Sequence, residues 1–262
     1  MAFILGGSPE TIFFHFLRIY FLKTMPIQWL SPFDVTFPNP SLANEDGILA
    51  VGGDLSVMRL LEAYRLGIFP WYSENDPILW WSPDPRMVLF PENLVVSHSM
   101  RPLLKQQRFR VSVNQCFEEV MRNCRVSRRN GQQGTWINDE IEDSYAALHE
   151  KGFAHSCEVW DGEQLVGGLY GVALGRVFFG ESMFAHVSNA SKFGFITFVQ
   201  HLQKLGIWLI DCQQETRHLG SLGASPIERN EFNKILKKNE NEPQILKNAF
   251  QDASKFRDLL KL

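Results

Sequence analysis

Apolar positions recur at helical spacing along much of the chain, and gather into strand-length runs bounded by turn residues in its middle. Leu55, Leu60, Leu61 and Tyr64 mark a helix that Asp54 or Ser56 opens and Gly67 closes. Further helices are predicted near 98–107, 114–125 and 139–151, the last stopping at Gly152. The run "SCEVWDGEQLVGGLYGVALGRVFFGESMF" predicts three strands with turns at Asp161-Gly162 and Gly175-Arg176. Asn189 or Ser191 then opens an amphipathic helix through Phe195, Phe198, Val199 and Leu202, ending at Gly206. A strand over 207–213 follows, with short helices near 216–222 and 228–238. Earlier, "IFPWYSENDPILWWSPDPRMVLF" is too rich in Pro and Trp for a helix, and reads as extended segments and rigid turns joining two domains. These elements predict an α/β fold in which helices pack a mixed sheet.

Composition leaves this picture intact. The chain has 262 residues, 45% hydrophobic and 21% charged, enough for a substantial core. Its net charge of −3 gives no overall sign of nucleic-acid binding. The charge is uneven, however: Arg101, Lys105, Arg108, Arg110, Arg122, Arg125, Arg128 and Arg129 stand against only Glu118 and Glu119. Such a face suits phosphates, and equally suits a solvated helical surface. The four cysteines lack metal-ligand spacing, so reduced thiols and a cytoplasmic setting are expected. "TIFFHFLRIYFL" (11–22) is interrupted by His15 and Arg18 and is too short to span a bilayer. Met25 follows closely, and residues 1–24 read as an upstream extension outside the fold.

Polar residues stand at three strand or helix ends. "FFGESMF" supplies Glu181 and Ser182, "GTWIND" supplies Trp136, and "LIDCQ" supplies Asp211 and Gln213. Strand alternation puts Asp211 and Gln213 on one face and Cys212 on the other. Buried carboxylates need partners, so each has both a structural and a functional reading. There is no Gly-x-Ser-x-Gly elbow, His-Glu-x-x-His, Walker loop or Rossmann glycine fingerprint, and the histidines show no ligand spacing. No metal is expected. "RHLGSLGA" superficially suggests the phosphate loop of acetyl-CoA-dependent transferases, but Leu222 fills a glycine position. The loop at the corresponding strand–helix junction, "AHVSNASK", has no glycine, which disfavours coenzyme A.

The motifs "GILAVGGDLS", "YRLGIFPWYS", "ILWWSPDPRMVLFP", "GTWI", "NASK" and "LIDCQ", with the three-strand run, closely resemble the bacterial leucyl/phenylalanyl-tRNA–protein transferases. The resemblance spans about Phe37 to Ile227. It implies a small N-terminal domain, placed at 25–88, and an acetyltransferase-like catalytic domain with a helical tail, placed at 89–262. It implies a cytoplasmic enzyme that moves Leu, Phe or, less well, Met from aminoacyl-tRNA to proteins beginning with Arg or Lys, for N-degron-dependent degradation. Asp211 is then expected to meet the acceptor's cationic residue, Gln213 to sit beside the attacking amine, and Glu181 to support both. Trp71 and Trp136 match tryptophans associated with substrate, and suit stacking on the terminal adenine. The donor side-chain pocket is expected to draw on Leu169, Met183, Phe195, Phe198 and Ile210. Phosphate contacts are expected from Arg101, Lys105, Arg108, Arg110, Arg128 and Arg129. No cofactor is implied, and a monomer is expected. From the sequence, an acyltransferase with another acceptor and a non-catalytic tRNA-binding module both stay open.

Overall fold

The computed structural model describes residues 27–73, 76–127 and 136–251. Residues 1–24, together with Arg128 and Arg129, lie outside them. The first sheet has four short strands, β1 (Gln28–Leu30), β2 (Ile48–Gly52), β3 (Phe69–Pro70) and β4 (Leu79–Trp81), in the order β1-β2-β4-β3. Helix α1 (Val57–Arg65) links β2 to β3. Ser56 is its cap, accepting the Arg59 amide at 3.4 Å, while Asp54 accepts the Ser56 amide at 2.7 Å. Gly67 follows α1 at φ +72°, and a Cβ there would stand 2.7 Å from the Phe232 ring. Both the left-handed turn and the close approach require glycine.

The second sheet has seven strands in the order β11-β5-β10-β9-β8-β7-β6. They are β5 (Arg86–Leu89), β6 (Arg110–Val113), β7 (Ala154–Asp161), β8 (Gln164–Leu174), β9 (Val177–Ala185), β10 (Leu209–Gln213) and β11 (Ser225–Ile227). Strands β7 to β9 form the predicted meander, turning at Gly162 and Gly175, both at positive φ. The β9–β10 pair is parallel, so the chain crosses over through a helix between them. Strands β6 and β11 were not anticipated; each has four residues or fewer at a sheet edge, too few to display alternation. Residues 68–73 and 76–90 hold three strands and no α-helix, as expected, but β3 and β4 belong to the first sheet and β5 to the second. Strand β5 straddles the division expected at residue 88.

The remaining helices are α2 (Met100–Lys105), α3 (Phe117–Val126), α4 (Asp139–Glu150), α5 (Ala190–Lys204), α6 (Arg217–Gly220), α7 (Arg229–Asn239) and α8 (Lys247–Phe250). Successive strand residues face opposite sides, so Phe178 and Phe179 enter different buried clusters. One cluster joins the first sheet, α1, α3 and α4 to one face of the large sheet, with the Tyr64 and Phe179 rings 5.0 Å apart. The other packs α5 on the opposite face, where Phe178 meets Phe198 at 5.2 Å. The tail is packed at least through Phe250, which is fully buried and stacks on His155.

Candidate active site

Strands β9 and β10 run side by side only as far as Phe179 and Asp211. At that point each is bulged. In β9, Tyr170 pairs with Ser182 and Gly171 with Gly180, leaving Glu181 as the extra residue. In β10, Asp211 pairs with Val88 and Gln213 with Met87, leaving Cys212 as the extra one. A bulge bends its strand and re-aims the side chains beside it. A cavity of about 660 Å³ opens where the two strands part, floored by α5.

Its polar wall is one hydrogen-bonded chain. Gln213 donates through Nε2 to Glu181 at 3.1 Å, and Glu181 also accepts the hydroxyls of Tyr64 at 2.8 Å and Tyr145 at 3.2 Å. The two tyrosine hydroxyls also lie within hydrogen-bonding reach of each other, and with one proton apiece a hydroxyl that donates to its neighbour does not donate to Glu181 at the same time. Burial pushes the Glu181 carboxyl up to about 7, with Asp211 adding to the rise; the tyrosine hydroxyls and Arg86 oppose it. Burial and the nearby carboxylate raise both tyrosines well above their ordinary range, so they remain donors at neutral pH.

Asp211 lines the cavity but is fully buried, and its charge is already matched. Arg86 donates to it through Nε at 2.8 Å and Nη2 at 2.6 Å, a bidentate pair. Asp211 Oδ1 also accepts the backbone amide of Gln213 at 2.9 Å. Gln213 itself has φ +62°, a left-handed bend that costs a side-chain-bearing residue on the order of 1 kcal/mol. The side chain is therefore aimed by a bulge and a bend, not by the plain strand alternation that the sequence suggested. For the same reason Cys212, expected on the opposite side, also reaches the cavity lining. Burial and the Asp211 charge push its thiol up, away from any nucleophilic form.

The apolar wall contains Leu169, Met183, Phe195, Phe198 and Ile210, all five residues expected of a donor pocket, joined by Phe178, Val199 and Leu202. Trp71 and Trp136 line the same cavity from two distant parts of the chain. The Trp71 carbonyl accepts the Trp81 indole N–H at 2.6 Å, and the next residue, Tyr72, donates to Glu140 of α4 at 3.2 Å. Trp136 lies two residues before Asn138, whose side chain caps α4 by accepting the Ile141 amide at 2.9 Å. Both tryptophans are thus tied to the same helix end.

The basic residues are placed elsewhere. Arg101, Lys105, Arg108 and Arg110 are exposed, and none of them lines the cavity. Strand β6, which starts at Arg110, lies three strands from β9, roughly 14 Å across the sheet. Arg108 is engaged by Asp161 at 2.6 Å, and Arg125 by Glu142 at 2.8 Å. Among the described residues, no cluster of His, Cys, Asp and Glu could hold a metal ion.

Sequence reasoning missed Arg86, Tyr64 and Tyr145. A lone arginine heading the apolar run "RMVLF" was the available signal for the first. The tyrosines occupy ordinary core positions of amphipathic helices, and nothing in their spacing marks the hydroxyls as functional.

The family model described as leucyl/phenylalanyl-tRNA protein transferase matches residues 88–237, and the model for that family's N-terminal domain matches residues 53–84. A relative in Christiangramia forsetii, named leucyl/phenylalanyl-tRNA–protein transferase, is 60% identical over 202 residues, 76% of this chain and 95% of its own. One of the same name in Pseudomonas fluorescens is 52% identical over 219 residues, 83% of this chain and 96% of its own. Among solved structures, a GCN5-related N-acetyltransferase-like protein from Streptococcus suis aligns with a TM-score of 0.33 at 10% identity, covering 62% of this chain and 60% of that one. Identity at this level over most of both sequences is decisive: the chain belongs to the leucyl/phenylalanyl-tRNA–protein transferase family.

Proposed function

We propose that the protein transfers leucine, phenylalanine or, less well, methionine from aminoacyl-tRNA to an N-terminal Arg or Lys of an acceptor protein, in the cytoplasm and as a monomer, committing that protein to N-degron-dependent degradation. The observation that carries this reading is that an apolar wall, two tryptophans and the Gln213–Glu181 pair line one and the same cavity. The apolar wall takes the donor side chain, the tryptophans take the terminal adenine, and the polar wall lies where the ester carbonyl meets the acceptor amine.

The reaction makes modest demands on acid–base chemistry. The acceptor α-amine, of pKa near ~8, is partly unprotonated at neutral pH. Its nitrogen attacks the ester carbonyl carbon, a C–N bond forms, and the C–O bond to the ribose breaks. The proton lost by the amine goes to the departing ribose oxygen. Gln213 has its Nε2 committed to Glu181, so its Oε1 accepts an N–H of the amine and orients the lone pair. Alignment of this kind supplies much of the acceleration. Asp211 contributes through Gln213 and through the local charge, since Arg86 already holds its carboxylate. Leu, Phe and Met fit one apolar pocket, whereas β-branched side chains are rejected by shape at ~1–3 kcal/mol per misfit.

The test follows labelled leucine from Leu-tRNA onto a peptide beginning with Arg, beside one beginning with Glu. Transfer to the Arg peptide alone is expected. Tight tRNA binding without ester consumption would leave a tRNA-binding module in its place.

A further inference from the structure

We infer that Arg86 is a positioning residue for this transfer: acting through Asp211, it holds the left-handed bend that aims Gln213 into the cavity. The inference rests on the aminoacyl-transfer reading above. Three observations carry it. First, the two hydrogen bonds Arg86 makes both go to Asp211, through Nε and Nη2, while Nη1 has no partner among the described residues. Second, Oδ1 of Asp211 receives both the Arg86 Nε–H and the backbone amide of Gln213. Fixing the carboxylate plane therefore fixes the residue whose φ is +62°. Third, Arg86 is itself immobilised between two rings, with its guanidinium carbon 4.8 Å from the Phe69 centroid and 4.9 Å from the Phe232 centroid. Those rings come from β3 and α7, so the clamp draws on the small sheet and on the C-terminal helices. A guanidinium suits this place because it forks onto a carboxylate and stacks on aromatic faces, and an ammonium does neither as well.

The pair also sets the electrostatics of Glu181. The groups facing that carboxyl are Tyr64 from α1, Tyr145 from α4, Asp211 and Gln213 from β10, and Arg86 from β5. Asp211 pushes its pKa up and Arg86 pulls it down, so geometry and charge are separable by substitution.

The experiment uses the full chain with Leu-tRNA and an Arg-initiated peptide. Wild type, Arg86→Lys and Asp211→Asn are compared for kcat, KM and the pH dependence of kcat. Arg86→Lys keeps the charge and loses the fork; kcat is expected to fall about 10- to 100-fold. Its KM for Leu-tRNA should stay within about twofold and its acid limb unmoved. Asp211→Asn keeps an oxygen for the Gln213 amide but removes the charge, so its acid limb is expected to move to lower pH. A folded Arg86→Lys enzyme with wild-type kcat overturns the inference and leaves the transfer reading standing. If Arg86→Lys does not fold, a folded Asp211→Ala enzyme, which lacks the link between Arg86 and the Gln213 amide, overturns it instead by keeping wild-type kcat. Failure of the wild type to transfer sinks the underlying reading, and this inference with it.

Discussion

Glu181→Gln is expected to make the protein more stable at alkaline pH relative to acid, by an amount the site itself sets. The carboxyl is pushed from 4.5 in the unfolded chain to about 7 in the fold. A raised carboxyl pKa means the native state binds more protons between those two values, so stability falls as pH rises through that window. From 1.36 kcal/mol per unit, this group costs the fold on the order of 1 kcal/mol at pH 5.5 and on the order of 3 at pH 8. Gln cannot ionise and is exempt from that slope, whatever fixed cost its amide brings among two tyrosine hydroxyls. The difference in unfolding free energy between Glu181→Gln and wild type should therefore change by about 2 kcal/mol from pH 5.5 to 8, in favour of the variant. Urea denaturation of both proteins at the two pH values measures it directly, because fixed offsets cancel. A difference that does not change with pH refutes the reasoning, since Glu181 would then titrate as an ordinary solvated carboxyl. The same ionisation should shape catalysis. Wild-type kcat/KM should rise through two ionisations, of Glu181 and of the substrate amine, and Glu181→Gln should keep only the second.

Leu169→Phe narrows the apolar wall of the cavity and should lower kcat/KM for Phe relative to Leu about tenfold, measured with the two charged tRNAs in competition; an unchanged ratio would remove Leu169 from the donor pocket. Gly171 lies opposite the Glu181 bulge, where a Cβ would meet the Phe179 carbonyl oxygen at 2.2 Å and the Phe178 ring at 2.6 Å. Gly171→Ala should cost about 1–3 kcal/mol by urea denaturation, and transfer should fall more than folding does because the bulge must shift. For tRNA binding, Arg101→Ala and Lys105→Ala should each lower the slope of log Kd against log salt by about one, if these exposed residues meet phosphates. Arg108→Ala should change it less, because Asp161 already matches that charge at 2.6 Å; equal slopes for all three variants would contradict this.

Much of the fold was legible because its signals are local. The meander from Ala154 to Ala185 has long, largely buried strands separated by glycine turns, and α5 has a full apolar face. The edge strands Arg110–Val113 and Ser225–Ile227 escaped notice because their structure is made by their neighbours. The site divides in the same way. All five expected donor-pocket residues, both tryptophans and the three polar residues border one cavity, since each sits in a motif or at the end of a strongly patterned element. Their partners were invisible. Arg86, Tyr64 and Tyr145 lie 125, 117 and 36 residues from the groups they bond, and no local pattern reports such pairings.

The two bulges explain why a sheet whose strands are buried on both faces carries a polar wall at all. Without the extra residues, β9 and β10 would continue side by side and the polar groups would face the partner strand or the packed helices, where unpaired burial costs several kcal/mol. One residue added to β9 turns Glu181 toward Tyr64 and Tyr145, and one added to β10 turns Gln213 toward Glu181. The Arg86–Asp211 pair sits where the bulge in β10 begins. Ion pairs this deeply buried seldom add stability over well-packed apolar residues, which makes packing a poor reason for this one. Holding a left-handed glutamine in place is a better reason, and it ties the aim of Gln213 to β5, the strand that pairs with β10 in the large sheet and meets the Phe69 ring of the small one through Arg86.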